Sequence, residues 1–217
     1  MGNYVLVVVP HADDEVLMCG GSIAKHLESE DRVDVVILQK NRNSRTQNQL
    51  VCANAAKKVL NYTNLHLLNI DNSLFSSNFV HVKDSLENFL TDVDTPDIVY
   101  TVSPFDNHQD HQMLYKVISV VFRIHGDRPA KKILCGETIS STDRSFKYFS
   151  SFNPNCYNTL VERHIDLKVE ALKQYKDEMF SMPHPRSEES VRSLAKVRGI
   201  ECNHYFAEAF CCVRDIT

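Results

Sequence analysis

The stretch Tyr4 to Glu15, YVLVVVPHADDE, constrains this chain more than any other. Tyr4 to Val9 is an apolar, largely β-branched run of the kind that forms a strand buried on both faces, which requires cover on two sides. Pro10 suits its terminus, because proline cannot donate to a sheet ladder. An imidazole and three carboxylates follow at once, His11, Asp13, Asp14 and Glu15, and Gly20-Gly21 lie in a segment that opens as a helix. Strand, short polar turn and helix begin a βαβ unit, and such sheets place ligands beyond the carboxyl ends of their strands.

The rest of the chain repeats that alternation. Strands are expected at Val33–Leu38, Leu65–Ile70, Ile98–Val102, Ile133–Cys135 and Ala207–Val213. Helical periodicity marks Glu15–Glu28, Gln49–Leu60, Val80–Val93, Met113–Phe122, Ile165–Met179 and Ser187–Arg198, the last stopped by Gly199. Gln39–Gln47 is polar and reads as a loop, and Phe146–Thr159 reads as irregular. Strands alternating with helices predict an α/β fold, a Rossmann-like, mostly parallel sheet with helices on both faces. At 217 residues, with no linker or internal repeat, residues 1–217 are expected to form one domain.

Composition removes several classes of function. The formal net charge is −4 with no basic block, which argues against nucleic acid as a partner. No apolar stretch approaches the length of a membrane span, and the N-terminus has no signal-peptide pattern. Seven cysteines, an odd number without a CxxC pair, fit a reducing compartment rather than a disulfide framework. The expected location is the cytoplasm.

A second polar cluster follows the strand Ile98–Val102, and it contains Asp106, His108, Asp110 and His111. In a parallel sheet the carboxyl ends share one edge, so this cluster can meet the first. Neutral imidazoles with a carboxylate are zinc ligands, and a catalytic zinc keeps three protein ligands and one open position. Asp13, Asp14 or Asp110 alone could simply serve a helix N-terminus, where negative charge is favoured. Capping does not explain two histidines at 108 and 111, nor two such clusters at equivalent places.

Pro10-His11-Ala12-Asp13-Asp14-Glu15 resembles the (A/P)H(P/A)DDE motif of the PIG-L, or LmbE-like, zinc-dependent N-deacetylases, and His108-Gln109-Asp110-His111 resembles that family's HxDH motif. The likeness continues through Asn153–Tyr157, Lys168, Ala171, Leu172 and Tyr175, His184-Pro185-Arg186-Ser187, Arg198-Gly199 and Ala207–Phe210, and so covers nearly the whole chain. The resemblance implies that His11, Asp14 and His111 hold Zn2+, that Asp13 is the general base, that His108 stabilises the oxyanion or acts as the acid, and that Asp110 orients a neighbouring histidine. The implied reaction is hydrolysis of the N-acetyl group of an amino sugar, a sugar conjugate or a nucleotide sugar. Arg42, Arg45, His184 and Arg186 are expected to contact that substrate, with a phosphate suiting the arginines.

Departures from the family pattern fall around the pocket rather than in the metal set: Gln39-Lys40 after the second strand, Gln49 and Cys52 on the second helix, Asn158, and Asp177-Glu178. Two other readings compete. Two histidines and one carboxylate also make a facial Fe2+ site, although the iron oxygenases that carry it sit on all-β barrels. A non-catalytic sugar- or nucleotide-binding module on the same fold would not need Asp13 and the full ligand set.

Overall fold

The computed structural model of the chain describes residues 2–40, 44–71, 75, 77–126, 129–146 and 151–216, with the side chains at 40 and 44–48 outside that description. β1 (Tyr4–Val9) is an interior strand of a seven-stranded sheet, and Val5 to Val9 have no exposed surface. The other strands are β2 (Arg32–Lys40), β3 (Asn64–Asp71), β4 (Ile98–Val102), β5 (Lys132–Gly136), β6 (Cys156–Leu160) and β7 (Phe206–Asp215). Their order is β3-β2-β1-β4-β5-β7-β6. The first five are parallel, β7 is antiparallel to β5, and β6 is antiparallel to β7.

Among the described residues six α-helices connect them: α1 (Asp14–Glu28), α2 (Ser44–Leu60), α3 (Phe79–Thr91), α4 (Gln109–Val121), α5 (Glu162–Leu172) and α6 (Glu188–Glu201). Right-handed crossovers through α1 and α2 step outward from β1 to β3, and those through α3 and α4 step back past β1 to β5. This puts the two pairs on opposite faces, and the packing agrees, with α1 against α2 and α5, and α3 against α4. The reversal of direction lies between β1 and β4, which are hydrogen-bonded neighbours. In such sheets the crevice beyond the carboxyl ends opens at that reversal, and both polar clusters leave the sheet there. Among the described residues, no helix is long and apolar enough to cross a membrane.

The structure moves several expected boundaries. Gln39 and Lys40 complete β2, and the helix after it begins at Ser44 rather than Gln49. Arg and Gln are polar, but they lose little in a helix, so polarity alone misread this segment as a loop. α4 starts at Gln109, ahead of its apolar periodicity, because His108 caps it with Nδ1 accepting from Asp110 N at 3.2 Å. The fifth helix stops at Leu172, and Tyr175 leaves helical geometry to donate its hydroxyl to Glu15 at 2.5 Å. α6 runs through Gly199 to Glu201 instead of ending at Gly199. There a Cβ would stand 2.6 Å from His204 O and 2.7 Å from Phe206 N, so the glycine serves close passage of the entering β7. Cys156–Leu160, expected to be mostly irregular, is the outer strand β6.

Candidate active site

The first cluster is set by a sharp bend after β1. Asp13 has φ 111° and ψ −31°, a conformation that side chains other than glycine rarely adopt. Its N–H donates to Glu15 Oε2 at 3.0 Å, and its carbonyl accepts the first α1 bonds from Val16 and Leu17. The bend sends two adjacent carboxylates different ways. Asp14, the first residue of α1, points back to accept from His11 N at 3.2 Å. Asp13 Oδ2 instead accepts from Arg186 Nη1 at 2.8 Å.

The second cluster leaves β4 through a loop organised by Asp106. Its carboxylate accepts from His108 N at 2.8 Å and Thr142 Oγ1 at 2.7 Å, and also from Ser141 Oγ. His111 follows in the first turn of α4, almost fully buried.

The two clusters meet around Asp14. Its Oδ2 lies 2.9 Å from His11 Nδ1 and 3.2 Å from His111 Nε2. Each of these rings has a second carboxylate at its other nitrogen. Asp110 Oδ2 is 3.1 Å from His11 Nε2, and Asp106 Oδ2 is 3.1 Å from His111 Nδ1, the latter close but poorly aligned for a hydrogen bond. The outer carboxylates favour protons on the outer nitrogens, which leaves the inner lone pairs of both rings facing Asp14. That is the carboxylate–histidine arrangement found behind metal ligands. Ligand atoms about 2.0–2.1 Å from a tetrahedral zinc stand about 3.3 Å apart, close to the separations across Asp14. The set therefore fits a divalent ion. His108 adjoins it, with its ring 4.6 Å from that of His11 and 5.0 Å from that of His111. One ring nitrogen from each of the three histidines falls within 4.8 Å of the others.

Electrostatics separates the neighbouring carboxylates. Burial alone would raise the Asp14 pKa, but His111 and His11 hold it well below the usual carboxylate range. Asp13 is pushed well above that range by burial and by the Asp14 charge, against the pull of Arg186. Burial opposes the charge on both inner rings, yet hydrogen bonds to Asp110 and Asp14 raise His11 to about 9, and Asp14 with Asp106 raises His111 to about 10. His108 moves the other way, lowered by burial and by the neighbouring His11 and His111. Glu15, fully buried, is raised to about 7, with its bond from Tyr175 pulling it back down. A cation beside Asp14 would favour the deprotonated form of every one of these groups.

A cavity of about 190 Å³ opens on this edge, lined by both clusters and by Gln49, Ser141, Glu178 and Arg186. Arg186, expected to contact substrate, is bound within the protein to Asp13, to Glu178 Oε2 at 2.6 Å and to Ser140 Oγ at 2.6 Å. His184 is not among the lining residues. Its Nδ1 accepts from Arg186 N at 3.1 Å and its ring packs 4.2 Å from that of Phe180. Arg42 lies outside the described residues, as does the side chain of Arg45, whose backbone is in the first turn of α2. Asp110 also accepts from Gln39 Nε2 at 2.6 Å.

The sequence places Glu15 and Asp106 in the two polar clusters and Glu178 among the departures around the pocket, but sequence reasoning assigns none of the three a role in the site. Asp106 had a local signal, since an Asp two residues before a histidine forms the side-chain-to-backbone turn seen here. Glu15 could have been suspected as a third carboxylate directly after a buried strand. Glu178 had no local signal, because only the fold brings it to Arg186.

A family model described as "PIG-L: GlcNAc-PI de-N-acetylase" matches residues 6–122, which contain both clusters. A protein of Escherichia coli (strain K12) named uncharacterized deacetylase YaiS is 25% identical over 179 residues, 79% of this chain and 90% of that one. Among solved structures, N,N'-diacetylchitobiose deacetylase from Pyrococcus horikoshii aligns with a TM-score of 0.76 at 18% identity, over 97% of this chain and 84% of that one. A deacetylase of the teicoplanin biosynthesis pathway aligns with a TM-score of 0.79 at 14% identity, over 98% of each chain. At these identities the structural likeness establishes the fold.

Proposed function

The chain belongs to the PIG-L family, and from that premise we propose that it is a metal-dependent N-deacetylase acting on an N-acetylated amino sugar or sugar conjugate, nucleotide-linked forms included. The observation that carries this reading is the meeting of His11, Asp14 and His111 at one point with Asp13 turned aside next to them. His11, Asp14 and His111 would hold the ion. A zinc ion there would supply Lewis acidity and lower the pKa of water from about 15.7 to about 7.

The chain's own groups supply the rest. Asp13 takes the proton of the attacking water as general base and passes it to the departing nitrogen. His108 Nδ1 accepts from Asp110 N, so in the neutral ring the proton sits on Nε2, free to donate to the developing oxyanion. Burial and the neighbouring His11 and His111 lower its pKa, which favours that neutral ring. Asp110 and Asp106 fix the tautomers of His11 and His111. The products are acetate and a free amine.

The same reading takes residues 1–217 as one deacetylase domain and places it in the cytoplasm, where seven free cysteines suit a reducing environment. The donor set suits Zn2+ first and Fe2+ next. Metal analysis of the purified protein, joined to an amine-release screen across N-acetyl sugars and their nucleotide forms, tests the proposal. One divalent ion per chain and release of amine are expected, with the ion lost in His11→Ala and His111→Ala. No amine from any N-acetyl sugar with the metal-loaded protein, or full metal binding by both variants, would overturn it.

A further inference from the structure

We propose that Arg186 is a positioning residue for Asp13: its guanidinium, fixed by Glu178 and Ser140, holds the Asp13 carboxylate in place rather than anchoring substrate. The inference rests on the reading of Asp13 as the general base. Three of the five N–H donors of the guanidinium are committed within the protein, the two of Nη1 to Asp13 and Glu178 and that of Nε to Ser140. The Arg186 side chain is only 15% exposed and that of Asp13 only 6%, so the pair is shielded from water as a surface bridge is not. The backbone of Arg186 is itself held, because its N–H donates to His184 Nδ1.

The physical need is local to Asp13. Its backbone sits at φ 111°, and its carboxylate is buried one peptide away from the Asp14 charge. Arg186 offers a rigid, permanently charged partner arriving from 173 residues away. Glu178 takes up a second edge of the same guanidinium, so a substrate phosphate would have to compete with two carboxylates already in contact.

The test compares the parent, Arg186→Ala, Arg186→Lys, Asp13→Asn and the double variant Asp13→Asn/Arg186→Ala. Each is assayed metal-loaded on the N-acetyl sugar that releases most amine, and each is melted in excess EDTA. Arg186→Ala should lower kcat by about 10²-fold, the scale of a misplaced catalytic group, with KM within about twofold of the parent and metal content retained. Arg186→Lys should recover part of kcat. The double variant should be no slower, and melt no lower, than the worse of its two single variants, as residues acting as a unit behave. A rise in KM with kcat unchanged would make Arg186 a substrate anchor and overturn the inference. So would losses that multiply in the double variant. Asp13→Asn turning over at the parent rate would instead remove the base reading. The melting cycle needs no turnover, and additive melting losses would show that the pair itself is absent.

Discussion

Glu208→Ala should destabilise the fold by at least about 3 kcal/mol, for a reason that lies in α1. Cys19 has φ −142° and ψ 25°, so the helix is broken there and its ladder opens. Glu208 of β7 closes one side of the break, accepting from Gly21 N at 3.0 Å and Ser22 N at 2.7 Å. Lys168 of α5 closes the other, its Nζ donating to Leu17 O at 2.8 Å and to Glu208 Oε1 at 2.6 Å. The two side chains are 8% and 6% exposed. Removing one partner of a buried ion pair costs about 3–5 kcal/mol, and each buried N–H left unmatched adds about 1–3 kcal/mol. About 3 kcal/mol is therefore the floor, and for a chain of this size that lowers Tm by at least about 6 °C. Urea unfolding in EDTA, followed by circular dichroism, measures it without metal linkage. Lys168→Met/Glu208→Gln removes both charges together and should lose less than half as much. A single variant within about 1 kcal/mol of the parent, or a double variant as damaged as the single, would refute the account.

Other expectations follow from the site and its supports. Asp13→Asn should keep the metal while kcat falls by roughly 10²–10⁴-fold, whereas Asp14→Asn should lose metal affinity and regain part of its activity in added zinc; metal content and turnover measured on both variants separate the roles. Asp106→Asn, which weakens the carboxylate behind His111, should reduce metal affinity by about 10–100-fold with the fold intact, as read by competition with a chromogenic chelator. Gly199→Ala should cost about 1–3 kcal/mol, because the new Cβ meets backbone at 204–206 rather than a side chain that can turn away; an unchanged urea midpoint would show that α6 can move off β7.

What could be read from the sequence follows from how local each signal is. β1 was legible because a strand covered on both faces must be apolar throughout, and the polar residues that end it then stand out. The parallel sheet followed from the alternation of elements. β6 was not legible, because an outer strand has little apolar alternation to show. Its Asn158 is turned inward to donate to Ser22 Oγ at 2.9 Å and Tyr100 Oη at 2.8 Å, which in sequence looks like a loop residue. Lys168 and Glu208 look like solvated charges until α5 and β7 are brought against α1. Arg186 looked like a free cation for a substrate phosphate because nothing near it in sequence shows that Asp13 and Glu178 occupy it.

The bend at Asp13 explains how one short turn can supply the two roles proposed for its adjacent carboxylates. Successive carboxylates on a regular helix turn would lie about 100° apart around one axis, with the first free to swing toward the same histidines. Here α1 begins only at Asp14, whose carboxylate is stabilised by the helix N-terminus and by the inner nitrogens of His11 and His111. Asp13, held at positive φ, turns its carboxylate to Arg186 while still lining the same cavity. Holding a non-glycine residue in such a region costs about 1–3 kcal/mol, and the bend persists because Glu15 accepts the Asp13 N–H while Tyr175 fixes Glu15. The third acidic residue of the run is thus the brace for the first two. Glu15→Gln, which can still accept from Asp13 N but loses the charge, should be milder in metal content and kcat than Glu15→Ala. Equal losses from the two would show that the Glu15 charge, rather than the brace, is what the turn requires.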